Sequence, residues 1–201
     1  MNVAATTLTG RFVELVPLRL EHLDALCGVG LDPDLWRVTL NKVHDRAGME
    51  RYVRTALDAQ TAGVALPFTI IAREPGGAVV VGCTRYHNID AYNRRVEIGY
   101  TWVARRWQRT PINTEAKYLL LRHAFEALDC VRVEFKTDRL NERSRTALKR
   151  IGAKEEGIFR RHMLTDDGRW RDTVYYSILA EEWPGVRDAL ELMLGPRTRG
   201  R

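Results

Sequence analysis

The sequence predicts an α+β fold, a single domain whose mixed, mostly antiparallel sheet of seven strands is flanked by helices. Three observations carry this expectation. Segments of strand and helix period follow one another in the order β-α-α-β-β-β-α-β-α-β-β-α. Two strand pairs are joined by short turn signals, Glu74-Pro75-Gly76-Gly77 and Thr165-Asp166-Asp167-Gly168, and so read as hairpins. One helix crosses between the fourth and fifth strands, which makes that pair parallel.

Each element follows from local pattern. Residues 12–16 alternate and end at Pro17, as a strand does. Leu20, Leu23 and Leu26 make a short helix closed by Gly28 and Gly30. Met49, Tyr52, Val53, Ala56 and Leu57 recur at helical spacing between Gly48 and Gly63. Strands follow at 67–72, 78–86 and 96–103, the last with Gly99 inside it, a sign of a bulge or a close backbone approach. A helix runs from about Thr114 to Leu128, a fifth strand covers 131–137, and a helix spans Asn141 to Ile151 with Gly152 as its stop. Strands at 158–164 and 170–179 and a helix with Trp183, Val186, Leu190 and Leu194 complete the chain.

The composition is that of a globular protein: 201 residues, 45% hydrophobic and 29% charged. The three cysteines, Cys27, Cys83 and Cys130, are far apart, which argues against a disulfide framework or a zinc knuckle and for a reducing cytoplasm. No basic, then apolar, leader opens the sequence, and no apolar run reaches the ~18 residues of a membrane span. The net charge of +6 suits nucleic acid or a small polyanionic ligand, but no helix-turn-helix, RNP or zinc motif supports the former. A core of about 10–194 is followed by a basic tail, 195–201, with Arg197, Arg199 and Arg201.

The turn at Gln108-Arg109-Thr110-Pro111-Ile112-Asn113, leading into Thr114, joins a strand to a helix start. Unpartnered N–H groups and the macrodipole make such a start an anion site, with phosphate the natural occupant. Arg105, Arg106 and Arg109 add charge, and Thr110 and Thr114 add hydroxyls. The alternative is a plain connection with Asn113 or Thr114 as the N-cap. Neither a Walker loop nor a G-x-G-x-x-G fingerprint is present.

From Arg11 to Leu194 the chain resembles the GNAT acyl-CoA N-acyltransferases, within them the ribosomal-protein N-terminal acetyltransferases of RimJ/RimL type. Four blocks carry the resemblance: Gly10 to Leu18, Val96-Glu97-Ile98-Gly99-Tyr100, Asn113-Thr114-Glu115-Ala116-Lys117, and Asn141-Glu142-Arg143-Ser144 with Ile151-Gly152-Ala153. The resemblance implies a V-shaped splay between strands 4 and 5 that receives the pantetheine of acetyl-CoA beside Thr101, Trp102 and Val103. It implies an acetyl-CoA-dependent N-acetyltransferase acting on a protein N-terminus or small-molecule amine, with no metal. The family's pyrophosphate loop maps onto Gln108 to Asn113. Pro111 and Asn113 replace its small residues, and Pro111 offers no N–H. Arg109, Thr110 and Thr114 are the expected substitutes.

Glu97 is the first candidate for general base; its other reading is an ion-pair partner of Arg94 or Arg132. His162 is the second. The resemblance makes Ser144 the general acid and Asn141 a pantetheine contact, though Asn141 also suits an N-cap. Lys149 and Arg150 are within reach of a 3′-phosphate, or are simply solvated. Tyr175 and Tyr176 alternate, one for the core and one for the acceptor cleft. Asp166 and Asp167 either meet a basic acceptor or only make a turn. A non-catalytic CoA-binding module is the rival suggested by the altered loop, and the last two strands offer an edge for a homodimer.

Overall fold

The computed structural model describes residue 1 and residues 3–195, so the basic tail at Arg197, Arg199 and Arg201 lies outside the described residues. In chain order the elements are β1 (Leu8–Thr9), β2 (Val13–Pro17), α1 (Leu23–Gly30), α2 (Pro33–Trp36), α3 (Arg46–Thr61), β3 (Ala65–Glu74), β4 (Gly77–Asp90) and β5 (Arg95–Val103). They continue as α4 (Pro111–Arg122), β6 (Arg132–Asp138), α5 (Glu142–Arg150), β7 (Lys154–Leu164), β8 (Trp170–Leu179) and α6 (Trp183–Leu194). One sheet of 8 strands runs in the order β1-β2-β3-β4-β5-β6-β8-β7.

The strand beyond the expected seven is β1, whose two residues pair Leu8 with Leu15 and Thr9 with Glu14. Two residues are too short to show a period, so the sequence does not reveal it. Predicted strands 4 and 5 are therefore β5 and β6. Among the described residues the only parallel pair is β5 with β6, as the crossing helix requires. β7 begins at Lys154, earlier than the expected 158, because its first residues carry no apolar alternation.

Helices cover the sheet unequally. On one face α4 and α6 bury Ile112, Ala116, Leu119, Leu120 and Leu190 against Val96, Ile98, Val133, Phe135, Val174 and Ile178. On the other face α1 and α3 bury Leu26, Met49 and Val53 with Trp36, Cys83 and Trp102, which covers β3 and β4.

The buried Glu115 of α4 fastens the N-terminal strands. Its carboxylate accepts the N–H groups of Arg11 (2.8 Å), Phe12 (2.6 Å) and Val13 (2.8 Å). A Cβ on Gly10 would stand 2.5 Å from that carboxyl carbon, so only glycine permits the approach. Two of the sequence blocks thus meet in one contact. Glu115→Ala is expected to cost about 2–4 kcal/mol, because charge-assisted bonds are lost and N–H groups are left unmade; urea unfolding measures it.

Candidate active site

β5 and β6 pair only through Arg95 with Arg132, Val96 with Val133 and Glu97 with Glu134. Beyond Glu97 they separate, and the expected splay opens there. The β4–β5 register shifts between Cys83 and Arg85. The distortion sits at Tyr100, whose φ is 50°, in the left-handed region. Gly99 serves another purpose: a Cβ there would lie 2.5 Å from Nε2 of His87. Past the pairing, the edge of β5 from Gly99 to Val103 faces β6 without a ladder.

At the end of β5 a single 3-10 turn, Arg105–Trp107, leads to α4. The helix starts at Pro111, not Thr114, and its N-cap is Thr110, not Asn113 or Thr114. The reason is that Thr110 can cap: its hydroxyl donates to the Trp107 carbonyl (2.6 Å) and accepts from the Ile112 N–H (3.4 Å). Pro111 is then at the first helical position, where its fixed φ suits the helix and its missing N–H costs no internal bond. The N–H of Asn113 remains among those without an intrahelical partner, whereas that of Thr114 is placed for the first helical bond, to the Thr110 carbonyl.

Around this start, the Gln108 amide donates to the Val103 carbonyl at 2.9 Å and holds the turn against β5. Thr114 is buried and accepts from Arg150 of α5 at 2.9 Å. Arg105 pairs with Asp34 (3.2 Å) and Arg106 with Glu74 (3.8 Å). Arg109 is exposed, with φ of 61°, and has no ion pair among the described residues. The side chains of Trp102, Val103 and Ile112 are core. Any part they take in binding is through backbone.

On the β6 side of the gap, Asn141 caps α5 by accepting the Ser144 N–H at 3.0 Å. Ser144 is half-buried one turn in. Lys149 pairs with Glu155 at 3.3 Å, and Arg150 is held by Thr114, so the pair is not simply solvated.

Glu97 lies where the gap opens, and it is buried. Its partners are His87 (3.0 Å), Lys136 (2.7 Å) and Asn88 (2.8 Å), not Arg94 or Arg132. Those arginines pair with Asp129 (2.7 Å) and with Glu134 (2.9 Å) and Glu156. Burial alone pushes the Glu97 carboxyl up, but bonds and charge from His87 and then Lys136 outweigh it and hold it below the usual carboxylate range. The His87 position was legible in part: a turn around 91–94 places His87 opposite Glu97 in the hairpin.

His162 does not join this group. It is exposed on β7 and its ring lies 5.8 Å from that of Tyr175, which in turn lies 4.7 Å from the Lys136 ammonium. Tyr176 is core and Tyr175 is on the Glu97 face, as their alternation predicts. Asp166 and Asp167 are held within the fold: Lys42 N–H donates to Asp166 at 3.0 Å, and the Lys42 ammonium is 3.4 Å from Asp167. They strap the loop before α3 to the β7–β8 hairpin.

One group in the gap escaped the sequence reading. Lys117 of α4 is buried, and its ammonium donates to Thr101 Oγ1 of β5 at 2.6 Å while standing 6.0 Å from the Phe135 ring centroid on β6. It spans the two splayed strands from beneath. Among the described residues no carboxylate pairs with it, and burial pulls its pKa down to about 7. Nothing in its spacing distinguishes it from a solvated lysine.

A family model described as "Acetyltransferase (GNAT) domain" matches residues 13–154. The chain belongs to the GNAT acetyltransferase family. This family transfers acetyl groups from acetyl-CoA to amines, and the fold and enzyme class expected from the sequence are borne out. A GCN5-related N-acetyltransferase from Brucella melitensis superposes with a TM-score of 0.87 at 30% identity, over 99% of this chain and 91% of that one. RimJ of Mycobacterium smegmatis, solved with CoA-disulfide, gives a TM-score of 0.74 at 28% identity, over 92% of each chain. YdaF of Bacillus subtilis (strain 168), provisionally named a ribosomal N-acetyltransferase, is 41% identical over 106 residues, 53% of this chain. That match spans 57% of YdaF. Among the described residues no helix is long and apolar enough to cross a membrane, and no cluster of side chains suits a metal ion.

Proposed function

We propose that the chain transfers the acetyl group of acetyl-CoA to a primary amine, a protein N-terminus or a small molecule, by direct attack in a ternary complex. The observation that carries this reading is the gap opening after Glu97 between β5 and β6, with the start of α4 at its far end. The residues present fit the co-substrate. The N–H of Asn113, the positive end of α4 and the Arg109 guanidinium suit a diphosphate. The free edge of β5 suits the amides of a pantetheine. Since Pro111 is at a position that needs no donor, the altered loop no longer favours a non-catalytic module.

The chemistry needs three things from the protein. Backbone N–H groups past the Tyr100 bulge polarise the thioester carbonyl. The amine nitrogen attacks the carbonyl carbon as the carbon–sulfur bond breaks, and Glu97 takes the amine proton directly or through water. The departing sulfur receives a proton from Ser144, and the Lys117 ammonium beneath the gap offsets the negative charge that develops on it. His162 is the second base only if Glu97 proves dispensable.

Release of CoA thiol across a panel of amines tests the activity. Acetyl-CoA at one hundred times its Kd is expected to stabilise the fold by about 2.7 kcal/mol. An unchanged melting temperature at millimolar acetyl-CoA contradicts the binding.

A further inference from the structure

The Glu97 face of the sheet carries two buried guanidiniums beyond the basic groups that its carboxylates already meet. His87 and Lys136 meet Glu97, Arg95 and Arg132 meet Glu134, Arg132 also meets Glu156, and Arg169 meets Asp138. Every carboxylate of this face named here is thereby matched. Two guanidiniums are left over. Arg85 of β4 is 5% exposed and Arg171 of β8 is 6% exposed. Arg85 lies opposite Gly99 and stacks on Tyr100 of the bulge at 3.9 Å and on Tyr52 of α3 at 5.1 Å. Neither arginine forms an ion pair among the described residues, and Arg171 Nε is buried without a hydrogen-bond partner.

Alternation places both side chains on the face of Glu97. Arg85 and His87 share one side of β4, while Arg171, Thr173 and Tyr175 share one side of β8. The two arginines stand on opposite sides of the gap, one beside Tyr100 and one beyond the end of β6. Thr173 Oγ1 is a second buried polar atom without a partner on that side of β8. The helices of this face cover β3 and β4. Past β5 the strap from Lys42 to the β7–β8 hairpin crosses it.

We infer that the acceptor amine carries a carboxylate a few bonds from its nitrogen, and that Arg171 and Arg85 receive that carboxylate. A buried guanidinium without a counter-ion is costly, and a planar fork matches a carboxylate in two parallel bonds. Burial depresses the Arg171 guanidinium, and the charges of Asp138 and Glu97, which act on it without forming an ion pair, do not make up the difference. The same two charges disfavour an ammonium beside them. They hold the incoming amine in its neutral, nucleophilic form, which suits a site whose carboxylate, Glu97, is a weak base. Polyamines, which bring only positive charge, are excluded from such a cleft. This inference rests on the acetyl-transfer reading, since it concerns that reaction's acceptor.

Two sources of the carboxylate are separable by calorimetry in the presence of CoA. N-acetylalanine against N-acetylalaninamide reports a free amino acid. Acetyl-Ala-Asp-amide against acetyl-Ala-Asn-amide reports an acidic residue beside a protein N-terminus. In at least one pair the carboxylate member is expected to bind about tenfold tighter or more, and Arg171→Gln is expected to abolish the difference with CoA affinity kept. Arg85→Lys, which keeps charge but loses the fork, should reduce it and serves if Arg171→Gln does not fold. Absence of a preference in both pairs, or its persistence in the variants, overturns the inference. Product binding with this selectivity but no thiol release from alanine, alaninamide or either free-amine dipeptide leaves the anion site standing and removes the acetyl-transfer reading instead.

Discussion

Glu97→Gln is expected to lower kcat by roughly a hundredfold or more while leaving CoA affinity within about twofold. The carboxylate sits at the last paired position before β5 leaves β6, and three donors fix it there. Glutamine keeps the shape and loses the charge, so the change falls on proton removal and not on the diphosphate end of the site. Since His87 and Lys136 hold the carboxyl below its ordinary range, it is ionised throughout the assay window, and the ratio of wild-type to mutant kcat should stay constant from pH 6 to 9. The rise of kcat/KM with pH then reports the acceptor amine, which for an α-amine lies near pH ~8, opposed by loss of the Lys117 proton above about 7. Wild-type kcat in Glu97→Gln would move the role to His162 or to bulk water.

The parts of this molecule that sequence makes legible are those with a period or a local turn. The β3–β4 and β7–β8 hairpins, the single helical crossing and the Tyr175/Tyr176 alternation are all read from neighbours in the chain. The start of α4 was misplaced by one turn because Thr110, Asn113 and Thr114 are all competent caps. Only the fold shows that Thr114 is taken by Arg150 from another helix. Gly99 marked the right neighbourhood: the left-handed residue is its neighbour Tyr100, and the glycine itself is there for close packing against His87. Charge matching is less legible still. Arg85 and Arg171 look like any strand arginine until their strands are placed in order, and Glu97 could not be paired with Lys136 before β6 lay beside β5.

Lys117→Met is expected to stabilise the protein at pH 6 and to lower kcat at the same time. One pKa unit corresponds to about 1.4 kcal/mol. A fall from 10.5 to about 7 therefore means that burying the ammonium costs on the order of 5 kcal/mol while it is charged. The sign follows from the two titrations. Below pH 7 both folded and unfolded chains hold the proton, and the folded state bears the whole cost. As pH rises from 7 towards 10.5 the unfolded chain keeps a proton that the folded chain has released, so stability rises. Methionine fills a similar volume without charge. It should raise stability at pH 6 by about 2–4 kcal/mol, the range found when buried charges give way to apolar groups. In a chain of this length that amounts to roughly 2–4 °C of Tm per kcal/mol. The gap between variant and wild type should then be widest at pH 6 and narrow from about pH 7 to pH 9, and taking the difference cancels other titrating groups, including the buried Cys83 and Tyr52, whose pKa values are both pushed up to about 12. Calorimetric melting of both proteins across that range measures it. A gap that does not change with pH means the lysine keeps its proton in the fold up to pH 9, so that burial does not depress its pKa and the expected cost of burying its charge is absent. A narrowing gap with kcat unchanged means that the buried charge is real and that Ser144 alone meets the leaving sulfur.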